Sequence, residues 1–178
     1  KNNYIPEIFK EKINIFLKYL YAIFLLFFSL LSLLALLTFE LNDNSFLTNS
    51  SFKTQNFLGD IGSYYASFIF YTFGVLGYLV ILFFFIYPLL TLLDKSPGYI
   101  FIRLLCFFIS LILLPQSLIH LNINFAFIES IETWGVFAVN IHKLHNVEYL
   151  SHFFSFIGFL IFLISQNITG LFKLPRIR

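Results

Sequence analysis

Methionine is absent from this chain, cysteine occurs once, and Asp, Glu, Lys and Arg together make up only 11% of it. Each scarcity excludes something. With no methionine even at position 1, the chain is expected to be a fragment of a longer protein. Cys106 stands alone inside an apolar run, which rules out a disulfide framework and a thiolate metal cluster. Ordinary soluble domains are about a quarter charged, so 11% is too little to clothe a water-facing surface. No Gly-Lys dipeptide occurs, and with it goes any G-x-x-x-x-G-K-[ST] phosphate loop.

What the chain has in quantity is apolar: 59% of it is hydrophobic and 21% aromatic, with 27 phenylalanines. A helix crossing roughly 30 Å of hydrocarbon needs about 20 such residues in a row. Four segments qualify, at about residues 20–39, 68–90, 99–121 and 153–172. The first is too long for a signal-peptide core and lacks a following A-x-A site. The uncharged run that holds the second span begins well before residue 68, with Phe57, Leu58, Ile61, Tyr64 and Tyr65 at helical spacing. This predicts an interfacial helical segment ahead of the second span, with Pro88 kinking or ending that span. Arg103, near the start of the third span, is expected to reach the headgroups with its guanidinium. The fold class predicted is all-α integral membrane, a four-transmembrane-helix domain.

Orientation follows from the Lys and Arg content of short flanks, because positive loops stay in the cytoplasm. Lys1, Lys10, Lys12, Lys18, Lys95, Arg103, Lys173, Arg176 and Arg178 fall on one side, and only Lys53 and Lys143 on the other. Residues 1–19 are thus a cytoplasmic segment and 173–178 the start of a cytoplasmic linker. The connections 40–67 and 122–152 are outer.

Small residues recur at steps of 3, 4 and 7 within each span, and so share a helix face. They are Ala22, Ser29, Ser32 and Ala35 in the first; Ser63, Ser67, Gly74 and Gly77 in the second; Cys106, Ser110 and Ser117 in the third; Ser151, Ser155, Gly158 and Ser165 in the fourth. Such seams let helix backbones approach in lipid, where the hydrophobic effect between helices gives little.

Candidates for chemistry are sparse. His120, His142, His145 and His152 all fall toward the outer side and offer a metal or haem site, although unliganded loop histidines account for the same pattern. Glu129, Glu132 and Glu148 read equally well as exposed loop carboxylates or as an acid–base group. The basic ends are already required by topology and attract anionic lipid, so contact with nucleic acid is not needed to explain them. No catalytic residue and no cofactor is assigned.

The most distinctive stretch follows the first span. Leu37-Thr38-Phe39-Glu40-Leu41-Asn42-Asp43-Asn44-Ser45-Phe46, then Asn56-Phe57-Leu58-Gly59-Asp60-Ile61-Gly62, supply turn-forming Asn and Asp, a potential helix cap in Asn56, and a bare face at Gly59 and Gly62. In order and spacing this resembles the membrane domain of the FtsK/SpoIIIE family of septal DNA translocases. There the first helix runs into an Asn-Asp-x-Ser-Phe loop, followed by an Asn-x-Leu-Gly-x-x-Gly segment. Phe73-Gly74-Val75-Leu76-Gly77-Tyr78 resembles the family's entry to the second span. The stretch before the fourth span departs from the family's glycine-rich segment, with Trp134-Gly135-Val136-Phe137 in its place.

The resemblance implies a non-enzymatic domain in the bacterial inner membrane. It would tether a cytoplasmic ATP-driven DNA motor at the division septum, associate with copies of itself, and meet other division proteins. DNA and ATP would be handled only by the motor. Asn42, Asp43, Ser45, Phe46, Asn56, Leu58, Gly59 and Gly62 are the implied interaction residues, within a partner surface spanning 40–62. The rival reading is a small four-helix enzyme subunit or transporter, with haem or metal on the outer histidines.

Overall fold

The computed structural model describes residues 7–95, 99–123, 133–145 and 147–166. The far end of the expected fourth span, the carboxylates Glu129 and Glu132, and the basic tail lie outside the described residues. So does the side chain of His145. Among the described residues, seven α-helices follow one another: α1 (Glu7–Leu37), α2 (Gly59–Phe73), α3 (Gly77–Leu92), α4 (Ile100–Leu113), α5 (Gln116–His120), α6 (Val136–His145) and α7 (Glu148–Gln166). A 3-10 turn, Gly74–Leu76, joins α2 to α3. Four helical runs are long and apolar enough to cross a membrane: Phe9–Leu37, Gly59–Leu92, Ile100–His120 and Glu148–Gln166.

The bundle is two antiparallel pairs. In the first, α1 runs along α3, so that Lys18 meets Asp94 at one end, the Phe28 ring meets Phe84 in the middle, and Leu36 shares a cluster with Ile81 at the other end. In the second, α4 runs along α7, with Arg103 beside Ile164, Phe107 beside Phe162 and Leu114 beside Ser155. The pairs meet through Val80, Phe83, Phe107 and Leu111, where the Phe83 and Phe107 rings stack with centroids 4.6 Å apart. We call the end carrying Leu36 and Leu114 distal, and the end carrying Lys18 and Asp94 proximal.

Small residues lie where the helices touch. Ala22, Ser29, Ser32 and Ala35 of α1 are buried, as are Ser110 of α4 and Ser151, Gly158 and Ser165 of α7. A Cβ on Gly158 would stand 2.7 Å from the Leu114 amide nitrogen, so α7 meets the end of α4 backbone to backbone. The seryl hydroxyls donate back into their own helices, Ser29 to the Leu26 carbonyl and Ser32 to that of Phe28, so burial leaves them satisfied. Ser155 instead crosses the gap and donates to the Leu114 carbonyl, while accepting from the Ser117 hydroxyl at 3.0 Å. Gly77 faces the Ile69 side chain.

Three local features go beyond or against the expectations. Helix α1 is 31 residues long, about 46 Å, and so begins well before residue 20. The Lys, Glu and Leu of its first turns are strong helix formers in water as well as in lipid. Of the two outcomes expected at Pro88, the ending is excluded, since α3 continues to Leu92; a break does fall at Leu114–Pro115, between α4 and α5. Arg103 does not reach out to headgroups. It is 5% exposed, and its Nη1 donates to the carbonyls of Ile164 at 3.0 Å and Ser165 at 3.4 Å. The guanidinium thus finds its acceptors on α7 without leaving the protein.

At the proximal end α3 finishes with Asp94 in the left-handed region, φ 57°, and the Lys95 amide reaching back to the Leu90 carbonyl. The Asp94 carboxylate accepts from the Lys18 ammonium at 2.8 Å and from the Tyr19 hydroxyl at 3.1 Å. These bonds hold it below the usual carboxylate range.

Candidate functional site

The connection from α1 to α2 is organised by side chains that bond backbone. Helix α1 ends with unpaired carbonyls, as every helix does. The Asn56 Nδ2 donates to one of them, that of Ala35, at 2.8 Å. Thr38 donates its hydroxyl to the Leu34 carbonyl and accepts from the Phe57 amide at 3.0 Å. The segment just before α2 is thus fastened to the end of α1.

Asp43 fastens the same segment from the other side. Its carboxylate is 2% exposed, with Oδ1 accepting from the Gln55 amide at 2.7 Å and Oδ2 from the Asn56 amide at 3.0 Å. Two backbone amides on one buried carboxylate are charge-assisted bonds, which leave the loop little freedom to slide. Ser45 closes a tight turn, its Oγ accepting from the amides of Leu47 and Thr48. Beyond it the Phe46 amide donates to the Ser67 hydroxyl of α2 at 3.0 Å. Thr54 donates to the Asp60 carboxylate.

Asn56 does not cap α2. The residue preceding that helix is Leu58, with no side-chain cap, and the Asn56 Oδ1 accepts instead from the Leu58 amide at 3.1 Å. A cap residue must stand next to the first helical turn, and Asn56 stands too early, in an Asx turn. Nor do Gly59 and Gly62 form one bare face. A Cβ at Gly59 would meet nothing, whereas one at Gly62 would lie 2.1 Å from the Asn56 Oδ1. Gly62 therefore makes room for the asparagine that holds α1.

The expected interaction residues thus divide. Asp43, Ser45, Asn56 and Gly62 are buried in the lock, while Phe46 is exposed, as is Asn42, and Leu58 and Gly59 are half-buried. Phe46, Phe52 and Phe57 present large rings outward, the most exposed being Phe52 at 78%. The motif builds a scaffold, and the aromatics beside it are what the scaffold displays.

A second contact closes the distal end. Gly74 and Gly135 both have positive φ, 58° and 78°. A Cβ on Gly74 would stand 2.1 Å from the Thr133 carbonyl oxygen, and one on Gly135 would stand 2.4 Å from that of Thr72. The Val75 amide donates to the Thr133 carbonyl at 2.8 Å. Trp134 between them is 4% exposed and donates its Nε1 to the Ile123 carbonyl. Sequence reasoning put Gly74 in a helix seam and missed its partner. The signal available was Gly135, the only glycine in the connection between α5 and α7. Gln116 was also missed: fully buried at the Leu114–Pro115 break, it donates to the carbonyls of Ile112 and Ala138 and so joins α4 to α6.

Three of the four histidines draw together at the distal end. The His120 ring centroid lies 5.7 Å from that of His142 and 6.4 Å from that of His152. Among the described residues, no group of three or more His, Cys, Asp or Glu is arranged to hold a metal ion.

Four membrane-length helical runs, paired through small-residue seams and fastened at one end by hydrogen-bonded loops, define a multi-pass α-helical membrane domain. No curated protein and no solved structure matches the chain. A family model does, described as the 4TM region of DNA translocase FtsK/SpoIIIE, over residues 14–176. The chain belongs to that family.

Proposed function

We propose that this domain anchors a DNA translocase in the bacterial inner membrane and holds its ATP-driven motor, carried elsewhere in the full-length protein, at the division septum. One observation carries the reading. In a chain matched to the family over residues 14–176, the residues that resemble the family loop, Asp43, Ser45 and Asn56, are those that order the connection between α1 and α2. The domain itself performs no reaction and needs no cofactor, and its work is placement. The proximal end faces the cytoplasm, and the distal loops, with Phe46 and Phe52, meet other division proteins. Copies of the domain associate within the septal membrane.

Three measurements test this. Reading the gene past Arg178 is expected to show a linker and then a phosphate-binding loop; a stop codon there would remove the motor from the proposal. A fluorescent fusion in dividing cells is expected to concentrate at the septum, and uniform membrane signal would refute tethering. Topology reporters at Ser96 and Ser51 are expected to report cytoplasm and the outer side respectively, and the reverse would invert the domain.

A further inference from the structure

Helix α2 cannot simply prolong α3. Together with the 3-10 turn they make 34 residues, about 50 Å if straight, against roughly 30 Å of hydrocarbon. A straight continuation would carry the start of α2 about 22 Å beyond the end of α1. Instead Asn56 and Phe57, just before α2, are bonded to Ala35 and Thr38 at the end of α1. At its other end, Gly74 touches Thr133 and Gly135. Both ends of α2 therefore sit at the level where the spans finish, and the helix lies across the distal end.

The sides of α2 can then be told apart. Gly62, Ala66 and Ile69 face the bundle and are buried, with Leu36 and Ile81 in their cluster. Tyr65 points inward along the spans, its ring edge-on to that of Phe28, which lies more than two turns below the end of α1. Asp60 and Ser67 carry the loop, through Thr54 and Phe46. The remaining side looks away from the bundle. It holds Phe57, Ile61, Tyr64, Phe68 and Tyr71, at steps of 4, 3, 4 and 3, exposed from 36% to 82%. Phe46 folds down onto it, its ring centroid 6.0 Å from Phe68 and 5.7 Å from Tyr71. On the same flank of α1 the ring of Phe28, which Tyr65 meets edge-on, is itself 39% exposed, and an exposed ring on a span faces lipid.

We propose that α2 is a lipid-docking helix. Its outward stripe lies in the boundary between acyl chains and headgroups of the leaflet at the distal end, with the two tyrosine hydroxyls toward the headgroups. The stripe is a lateral continuation of the lipid-facing surface of the bundle, which selects lipid over water or a second protein as its occupant. The loop fastened to α2 by Ser67 and Asp60 is in consequence held close to the membrane surface. A partner of that loop must approach along the bilayer. The inference rests on the membrane fold and is independent of septal tethering.

The test uses the chain in vesicles of phosphatidylethanolamine and phosphatidylglycerol. Cys106→Ser is combined with single cysteines at Ile61, Tyr64 or Phe68, and at Lys53 as a loop control. Each is spin-labelled and its collisions with oxygen and with a water-soluble nickel chelate are compared. Labels at the three stripe positions are expected to collide with oxygen at least about threefold more than with nickel, and the Lys53 label to show the reverse. Nickel-dominated collisions along the stripe would refute lipid docking, because the face would then be open to water. Low collisions with both would refute it too, because a second copy or another protein would cover the face. Footprinting of the unmodified chain by hydroxyl radicals gives an answer free of labelling: Tyr64 and Tyr71 are expected to be protected and Phe52 modified. Equal modification of all three would overturn the proposal.

Discussion

Asp43→Ala removes the carboxylate on which the loop is fastened, and its effect can be worked from the geometry. Two backbone amides, those of Gln55 and Asn56, bond the two carboxylate oxygens at 2.7 and 3.0 Å in a site where Asp43 is 2% exposed. Bonds to a charged acceptor are each worth about 1.5–3 kcal/mol. Losing both, with the Asn56 amide left buried, costs about 3–5 kcal/mol of local stability. The amide side chain of Asp43→Asn is isosteric but turns one acceptor into a donor facing an N–H, so it should lose somewhat more than half of that. Hydrogen exchange reads the cost directly, because these amides exchange when the loop opens. In lipid nanodiscs, the amides of Gln55 and Asn56 should exchange roughly a hundredfold to a few thousandfold faster in Asp43→Ala, since each 1.4 kcal/mol is tenfold. The Val75 amide, bonded at the separate Thr133 contact, should be unchanged. If Gln55 and Asn56 exchange at wild-type rates in the alanine variant, the carboxylate does not hold the loop and the lock does not exist.

Other outcomes follow from the same contacts. Gly74→Ala places a methyl against the Thr133 carbonyl at a positive φ, and should destabilise the domain by more than about 2 kcal/mol, read as a lower melting temperature in detergent. Gly158→Ala should cost about 1–3 kcal/mol by forcing α7 away from the end of α4, seen as a longer spin-label distance between those helices. Arg103→Ala leaves the Ile164 carbonyl without its side-chain donor and should lower stability by about 1.5–3 kcal/mol, with Arg103→Lys restoring part of it in the same melts. For Asp94 the carboxyl is held low in the folded state, so its contribution is present at neutral pH and is lost as pH falls below the ordinary carboxylate range. The Lys18–Asp94 pair is exposed, so Asp94→Asn should shift the melting temperature only slightly at pH 7, and the shift should fade as the pH drops through the lowered pKa of Asp94.

The four membrane runs were legible because their cause is local: each is a long apolar stretch with almost no charge, and composition alone reports it. Where a helix begins was less so. Helix α1 extends to Glu7 because Lys and Glu propagate a helix as well as Leu does, and no residue there marks the membrane boundary. The loop's importance was legible from its residue order, but the task of Asn56 was not. A sequence places it near a helix start; only the fold brings the Ala35 carbonyl within 2.8 Å. Arg103 is the same case in reverse, since hydropathy assigns an arginine near a span end to the headgroups, while the acceptor that claims it lies on α7. The Gly74–Gly135 contact was hidden for a further reason. Its necessity is backbone approach between segments far apart in the chain, and a glycine does not name its partner.

That contact also bears on the order of assembly. A chain is made from its N-terminus onward, so Thr133 and Gly135 leave the ribosome after α3 and α4. Until then the Val75 amide lacks the acceptor it has in the finished fold, and the junction of α2 with α3 has nothing seated on it. The first helical pair can therefore insert early but cannot finish, and the arrival of the second pair is what completes it. A truncation before Thr133 should accordingly yield three membrane-inserted runs with the α2–α3 junction uncovered, which quality-control proteases recognise as incomplete.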